Sequence, residues 1–395
     1  MNNDDFQVLG SSTESVKSKK RKWILMGMGF LALLAIVGLW CWGYATSKDK
    51  RVGELTIQPK LQTVVDSLLN KELLDIDGLQ GQVIVMEVQT GKILAMAGLE
   101  RRFDGMFQPC RNFAFQQEPG SIMLTASLLA LLETGETKLD DMIDTYGGVW
   151  CVDDTVSIRD HNWQRGGYGL LQVEEALRFS SNIGICRMMD KIFHGKEMRY
   201  YEMIDKMSLG KPDSITGIDG LKPMVCSSPK DSLWTKYRMF WNAMGYELSM
   251  APIQTLTFYN AIANGGKMVK PMLYADSVEV INPRIASKES IAQIQFALER
   301  TVSQGLGRKA GTQKMRVAGT VGDAQVKIQY DDRGEGIPIE YHISFCGYFP
   351  ANNPKYSMIV SLNKQGLPAS GGGMAGVVFH NVVEWIAAHP KLLKE

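Results

Sequence analysis

The sequence predicts an α+β fold in which one antiparallel sheet, built from both ends of the chain, packs against a largely helical middle region. The first observation is a pair of alternating apolar runs over 81–98, which surround a turn at Gln89 to Lys92 and are typical of a hairpin. The second is the stretch 119–265, which is helical in pattern and broken by glycines. The third is a set of three strand-like runs, 315–330, 340–349 and 356–363. Strands at both ends with helices between them favour an α+β domain.

Two further helices flank this arrangement. An amphipathic helix is predicted from about Leu55 to about Leu74, just before the hairpin. A last helix is predicted from about Met374 to about Ala388. This last helix closes the chain.

Composition excludes several classes of function. The 395 residues carry 43 basic and 42 acidic side chains, so the formal net charge is +1 and no overall field favours nucleic acid. No Cys-x-x-Cys pair or metal-type Cys/His spacing occurs, and the five histidines are scattered. We therefore expect no nucleic-acid partner, no metal and no cofactor.

One segment is typical of a membrane span. Residues 23–44 are uncharged, about as long as a bilayer core requires, and have tryptophans or tyrosine at both ends. The basic residues before it place the tail 1–22 in the cytoplasm by the positive-inside rule. The expected order is then the tail, a single transmembrane helix, a short linker at 45–54 and an extracytoplasmic domain at 55–395. A cleaved signal peptide is the alternative, but no small-residue cleavage site is evident.

Cysteine usage leaves the redox state open. Cys41 lies in the predicted span, and five cysteines follow it: Cys110, Cys151, Cys186, Cys226 and Cys346. An oxidising compartment permits one or two disulfides among them, and free buried thiols are an equal alternative.

Three short motifs carry the chemistry. Ser121 follows Pro119-Gly120 and opens the apolar run SIMLTASLLALLETG. Ser180-Ser181-Asn182 lies between two helical segments, and Gly319 to Gln325 opens a strand. A serine hydroxyl becomes a good nucleophile only when an adjacent base takes its proton.

In this order, the three motifs resemble those of the transpeptidase domain of penicillin-binding proteins, SxxK, SxN and KTG. The resemblance extends from about residue 55 to the end, through GQVIVMEVQTGKILAMAG, EPGSIML, YELSMAPIQTLTFYNAIANGGKMVKP and GGGMAGVVFHNVVEWI. It is strongest to the class B, single-span members. It implies a serine β-lactamase/DD-transpeptidase fold, and a peptidoglycan stem peptide or a β-lactam as ligand.

Two of the motifs depart from the family pattern. Ser121 matches the nucleophile, Ser180 the proton-relay serine and Asn182 the amide that holds lysine and substrate. Leu124, however, stands where the family has its lysine general base. In the third motif AGKTGTAQ becomes AGTVGDAQ, so that only the glycine of the KTG triplet survives. Its residues here are Thr320, Val321, Gly322 and Asp323.

These departures predict a catalytically degenerate transpeptidase fold that acts as a scaffold or regulator of wall-synthesis or division proteins at the membrane. The alternative is an active DD-transpeptidase that acylates Ser121 with a base from elsewhere. A β-lactam sensor would also need acylation. Simpler roles are open as well: Ser121 is expected to cap a helix, Leu124 to fill the core, and the second motif to be either a vestigial site or a plain turn. The family uses the lysine and the hydroxyls of the third motif to bind a substrate carboxylate, whereas the negative Asp323 is expected to repel it.

Overall fold

The computed structural model describes residues 53–390 apart from 233 and 331–335, and leaves side chains within 327–338 undescribed. The predicted tail at 1–22, the predicted membrane segment at 23–44 and most of the predicted linker lie outside the described residues. Within the described part, no helix is both long enough and apolar enough to cross a membrane. The described residues from 54 onward form one compact unit.

Nine α-helices occur in the described part of the chain. They are α1 (Pro59–Asp75), α2 (Leu124–Glu133), α3 (Val173–Arg178), α4 (Asn182–Phe193), α5 (Glu197–Lys206), α6 (Arg238–Met244), α7 (Pro252–Ala263), α8 (Lys288–Gln304) and α9 (Gly376–Ala388). Short 3-10 turns lie at Gly120–Met123, Trp163–Arg165 and Arg308–Ala310, and a π-helical turn lies at Gly371–Ala375.

A six-stranded sheet joins both ends of the domain, as predicted. Its strands are β1 (Gly78–Glu87), β2 (Ile93–Arg101), β3 (Phe107–Pro109), β12 (Ala318–Tyr330), β13 (Gly336–Phe349) and β14 (Tyr356–Gln365). Their spatial order is β12-β13-β14-β1-β2-β3, and every neighbouring pair is antiparallel. The central contact pairs β1 with β14, which brings together residues far apart in sequence, such as Val83 and Val360.

The middle region is helical, but less completely than the pattern predicts. Six short strands interrupt it and two more follow it. They pair into four two-stranded ribbons: β4 (Met142–Asp144) with β7 (Leu170–Gln172), β5 (Val149–Cys151) with β6 (Ser157–Arg159), β8 (Val225–Cys226) with β9 (Leu248–Ser249), and β10 (Met268–Val269) with β11 (Val280–Asn282). Runs of two or three residues are too short to show an alternating pattern, which explains why the sequence did not predict them.

The large sheet is buried on both faces. On β1, Val83 and Val85 pack with helices α1 and α9 in one apolar cluster. Ile84 and Met86 face the opposite way and pack with the helical middle in a second cluster. Each such side chain contributes about 1.5–3 kcal/mol on burial. The sheet is therefore a rigid middle layer, and its β12 edge lies beside the turn that carries Ser121.

The described residues contain no disulfide. Cys110, Cys151, Cys186, Cys226 and Cys346 are all free thiols, and Cys186 and Cys346 are fully buried. No cluster of three His, Cys, Asp or Glu residues in this part of the chain has the geometry of a metal site.

Candidate active site

The turn that carries Ser121 is fixed by two glycines. Gly120 has φ +63°, and a side chain on it would approach the Asp323 carbonyl oxygen to 2.4 Å. Gly245, at φ +86°, ends α6, and a side chain there would approach the Gly120 oxygen to 2.1 Å. The Gly120 N–H also donates to the Gly245 carbonyl at 3.2 Å. The turn is therefore held between β12 and the end of α6, at a spacing that only glycine permits.

Helix α7 holds the same turn from inside the protein. The buried Tyr259 hydroxyl donates to the Ile122 carbonyl at 2.7 Å and lies 2.7 Å from the Thr125 hydroxyl. Leu124 is completely buried in the core between these elements, as the sequence predicted. The position that follows Ser121 by one turn is therefore filled with an aliphatic side chain.

A hydrogen-bonded chain supports the segment just before the turn. His342 of β13 is buried, and its Nδ1 donates to the Glu118 carbonyl at 2.9 Å. Its Nε2 then accepts from the Ser361 hydroxyl (2.9 Å), which in turn accepts from the Gln117 amide (3.0 Å). Burial lowers the pKa of His342 to about 4, because the charged ring would be desolvated. The imidazole is thus neutral at pH 7, which this arrangement of donors requires.

Ser121 itself is partly buried and makes no side-chain hydrogen bond to any described residue. The predicted capping role is wrong. Ser121 lies within the 3-10 turn, α2 begins at Leu124, and neither element has a side-chain cap. The 3-10 turn takes up the chain reversal before the α-helix starts, so the hydroxyl is left free.

The second motif is built around a carboxylate that the sequence did not single out. Ser181 caps α4, since its Oγ accepts from the Gly184 N–H at 3.0 Å. The same hydroxyl donates to Asp160 Oδ2 at 2.7 Å, while Asp160 Oδ1 accepts from the Ile183 N–H at 3.0 Å. Asp160 is buried, and desolvation raises the pKa of its carboxyl. Ser181 thus has a structural role, whereas no such role is seen for the side chains of its neighbours Ser180, which is buried, and Asn182, which is partly buried.

The side chains of Ser180 and Asn182 form few hydrogen bonds. Ser180 has a left-handed backbone, φ +52°, which is uncommon for a serine and costs about 1–2 kcal/mol, and its hydroxyl has no hydrogen-bond partner among the described residues. Asn182 donates a long 3.4 Å bond to the Arg159 carbonyl. Its Oδ1 is buried and lacks a partner in the described structure. Left-handed backbone in a non-glycine residue often marks a functional site.

On β12, the third motif presents one polar side chain. Thr320 and Val321 are buried, with 1% and 2% exposure, so contact with a ligand there would come mainly through the strand backbone. A side chain at Gly322 would approach Ser344 Oγ to 2.3 Å. Asp323 keeps exposed surface, and its Oδ1 accepts from the Gly371 N–H at 2.7 Å. Protein packed around this carboxylate raises its pKa to about 6, an effect that the Gly371 hydrogen bond partly offsets.

A series of close contacts brings the three motifs to one region. A side chain at Gly322 would lie 3.1 Å from Ile122 Cβ, so the third motif packs directly on the Ser121 turn. The Leu306 N–H donates to the Arg178 carbonyl, two residues before Ser180. The carbonyl of Leu306 lies against Gly372, which also borders Val321. The loop after α8 therefore connects the second motif to the third.

The groups around Ser121 lack an evident proton acceptor. Of the nearby carboxylates, Asp323 is bonded to Gly371, and Glu118 Oε1 accepts from the Glu247 N–H at 2.9 Å. His342 faces the opposite side of the turn and is already saturated by its two hydrogen bonds. A general base must reach within hydrogen-bonding distance of the proton that it removes. No described side chain does so here.

Sequence reasoning missed the residues that support the site. His342, Ser361, Asp160 and Tyr259 hold the motifs in place but lie far from them in sequence. His342 lies on the inward face of an alternating strand, which was the one available signal. Nothing in the sequence around Asp160 indicated that its two oxygens serve the second motif.

Comparison with known proteins agrees with this architecture. Residues 81–384 match the penicillin-binding protein transpeptidase domain. The stage V sporulation protein D of Bacillus subtilis is 27% identical over 86% of this chain and 54% of its own length. The peptidoglycan D,D-transpeptidase FtsI of Buchnera aphidicola is 26% identical over 86% of this chain and 58% of its own. The chain thus spans about half the length of the curated relatives that it matches.

Solved structures share the fold. The apo transpeptidase domain of penicillin-binding protein 3 from Burkholderia pseudomallei superposes with a TM-score of 0.71 at 25% identity, covering 86% of this chain and 96% of that one. Penicillin-binding protein 3 of Mycobacterium tuberculosis, solved with aztreonam, gives a TM-score of 0.71 at 22% identity, covering 86% of this chain and 79% of that one. Since the family match spans well over half of the sequence, the chain belongs to the penicillin-binding protein transpeptidase domain family.

Proposed function

We propose that this protein is a catalytically degenerate member of its family, which uses the transpeptidase fold as a scaffold or regulator in peptidoglycan synthesis or cell division. The curated relatives include proteins named as peptidoglycan D,D-transpeptidases, which supports a role in the cell envelope. Its partners would be wall-synthesis or division proteins in the same membrane. If the cleft still binds a small ligand, that ligand would be a stem peptide or a β-lactam.

One observation carries the proposal: the Ser121 hydroxyl has no base among the described residues. The residue one turn along is Leu124, which is fully buried in the apolar core. A positioned general base typically raises the rate of such a reaction about 10²–10⁴-fold. Because catalytic groups act as a unit, the loss of one of them removes most of the effect of the others. Losses in the third motif add to this, because Thr320 and Val321 offer no cation to an incoming carboxylate.

Asn182 of the second motif supports the same proposal. Its buried Oδ1 has no partner among the described residues. An unpaired buried carbonyl costs about 1–3 kcal/mol. A lysine amine at position 124 is the kind of donor that would satisfy it, so the orphaned oxygen fits the loss of that lysine.

Location is proposed from the N-terminal sequence. We place residues 23–44 across the cytoplasmic membrane, with 1–22 in the cytoplasm and the domain outside it. The division of the chain into a tail at 1–22, a transmembrane helix at 23–44, a linker at 45–54 and a domain at 55–395 is part of this proposal.

The test is acylation of the full-length chain by a fluorescent penicillin. Penicillin is a suitable probe because the Mycobacterium tuberculosis relative has been solved with ampicillin and with aztreonam. We expect no stable adduct on the wild type, and little on Leu124→Lys because the third motif is degraded as well. Ser121→Ala is the background control, and an active family member is the positive control.

Labelling of the wild type that Ser121→Ala abolishes would overturn the proposal and favour the alternative, an active DD-transpeptidase with a base from elsewhere. Labelling of Leu124→Lys alone would show that the missing amine is the main defect and that the third motif still supports acylation.

A further inference from the structure

A group of arginines and aromatic rings lies beside the second motif and has no role in the support described above. It consists of Tyr146, Arg159, Trp163, Arg165 and Arg187, and is called here the arginine–aromatic surface. The Arg159 guanidinium lies 4.7 Å from the centroid of the Trp163 ring. The Arg187 guanidinium lies 4.5 Å from that of Tyr146. Each distance is typical of a cation–π contact.

Two packed loops carry Tyr146 and Trp163, while Arg159 ends strand β6 and Arg187 lies on helix α4. Strands β5 and β6 pair Val149 with Arg159. Gly148 lies so close to the next loop that a side chain on it would approach Trp163 Cα to 2.7 Å. Tyr146 and Trp163 are therefore carried by neighbouring segments, and both remain exposed, at 43% and 38%.

The surface borders the candidate active site directly. Asn182 of the second motif donates to the Arg159 carbonyl. Asp160, the next residue, is turned inward and binds Ser181 and Ile183 with its two oxygens. Arg159 is thus fixed at the rim of the site, and the carboxylate beside it is occupied elsewhere.

None of the three arginines forms an ion pair with a described residue, whereas Arg178, Arg199 and Arg316 each do. Arg187 donates to the Asp144 carbonyl, not to its carboxylate. The Asp144 carboxylate accepts from the Tyr146 N–H at 2.7 Å. Two guanidiniums without an ion pair, each against an exposed ring, favour a ligand that carries carboxylates on a partly apolar frame. Arg165, two residues after Trp163, adds a third positive charge nearby.

We propose that the arginine–aromatic surface binds the peptide-bearing glycan of the cell wall, with the guanidiniums on its carboxylates and the rings of Trp163 and Tyr146 against its sugars. This inference rests on the proposed function, which places the domain at the wall. The inference goes beyond the proposed function, because binding at the arginine–aromatic surface needs neither Ser121 nor acylation. The protein would be held on its polymer by the rim of a site that no longer reacts with it.

A glycan fits better than an acidic protein. The two rings lie apart, each against its own arginine, and do not form one continuous apolar patch with each other. A sugar offers small apolar faces separated by polar groups, which matches that spacing. The position at the rim of the second motif also matches a polymer whose peptides would enter the cleft.

Cosedimentation of the full-length chain with purified, protein-free peptidoglycan sacculi tests this. We expect Arg159→Gln/Arg187→Gln to weaken binding by about tenfold or more, because the variant removes two of the guanidiniums that would bind carboxylates. Trp163→Ala should also weaken it. Arg284→Gln/Arg308→Gln is the matched control, because both of these arginines are exposed, lie elsewhere and form no ion pair with a described residue. Thermal melting checks that every variant is folded.

Amidating the carboxylates of the sacculi should abolish binding by the wild type. The proposal is overturned if the wild type does not sediment, if the two double variants behave alike, or if amidated sacculi bind equally well. Binding to poly-glutamate as strong as to sacculi would also overturn it and assign the surface to an acidic protein. Penicillin labelling is measured separately from sacculus binding. If the sacculi do not bind, the degenerate-site proposal still stands, and if penicillin labels Ser121, the binding result can still be interpreted.

Discussion

The two sides of the Ser121 turn differ sharply in how well their polar groups are satisfied. Behind the turn, Tyr259 and His342 are buried and hydrogen bonded to the backbone at Ile122 and Glu118. In front of it, the hydroxyls of Ser121 and Ser180 have no partner among the described residues, and Asn182 Oδ1 is buried without one.

The difference distinguishes groups that maintain the fold from groups that would act on a ligand. The groups behind the turn fix the backbone whether or not a reaction occurs. Each of their hydrogen bonds contributes about 0.5–1.5 kcal/mol to the free energy of unfolding. The groups in front contribute little to folding and would be useful only to a ligand. The proposed degenerate site corresponds to this pattern, because the groups that fix the backbone are kept while Leu124 and Thr320 offer no amine.

The largest effect is expected behind the turn, for Gly245→Ala. The new methyl group would approach the Gly120 oxygen to 2.1 Å, and φ +86° is itself unfavourable for alanine. Overpacking of about 1–3 kcal/mol and left-handed strain of about 1–2 kcal/mol together predict a loss of about 2–5 kcal/mol. Urea unfolding of the variant measures this loss.

Gly135→Ala is the matched control for that variant. Gly135 also has a positive φ, +71°, but apart from its chain neighbours no described atom lies within 4 Å of the position that the methyl group would take. It should cost only the backbone strain of about 1–2 kcal/mol. Equal losses for the two variants would show that the close approach of Gly245 to the turn does not matter for stability.

The elements behind the turn are also the ones that the sequence predicted best. The sheet, the hairpin and the last helix follow from alternating and helical apolar patterns, so β1, β2, β14 and α9 lie close to their predicted bounds. The first helix begins at Pro59, four residues later than expected, because proline suits the first turn of a helix.

The site was predicted in part. Its three motifs were found because short local strings carry them. Their supports were not, since the contacts of His342 with Glu118 and of Asp160 with Ser181 join distant parts of the chain. Ser121 was expected to cap a helix because Pro-Gly-Ser is typical of a helix start. The 3-10 turn at Gly120–Met123, which depends on contacts with β12 and α6, places the start of α2 three residues later.

A second expected effect is pH dependence from His342. Its pKa is about 4 in the folded protein and about 6.5 when unfolded, so the unfolded chain binds the proton more readily. Stability from the neutral ring is therefore complete above about pH 6.5 and is lost as the pH falls towards 4. The loss amounts to about 3 kcal/mol, which should be absent from His342→Gln.

Unfolding free energies of both proteins between pH 7 and 4 measure this, and the difference between them is the informative quantity. Asp323 acts in the opposite direction, because its raised pKa of about 6 makes the folded state bind a proton first as the pH falls. That contribution is common to both proteins and cancels in the difference. Parallel pH profiles would mean that His342 is not buried as a neutral ring.

The smallest effect is expected in front of the turn, for Ser121→Ala. Its hydroxyl is partly exposed and has no partner among the described residues, so the unfolding free energy should change by no more than about 0.5 kcal/mol. Ser181→Ala is the control: it removes a helix cap and the hydrogen bond to Asp160, and should cost about 1–2 kcal/mol or more. Urea unfolding of both variants makes the comparison. A loss for Ser121→Ala as large as that for Ser181→Ala would show that Ser121 is a structural group, and the contrast between the two sides of the turn would then no longer hold.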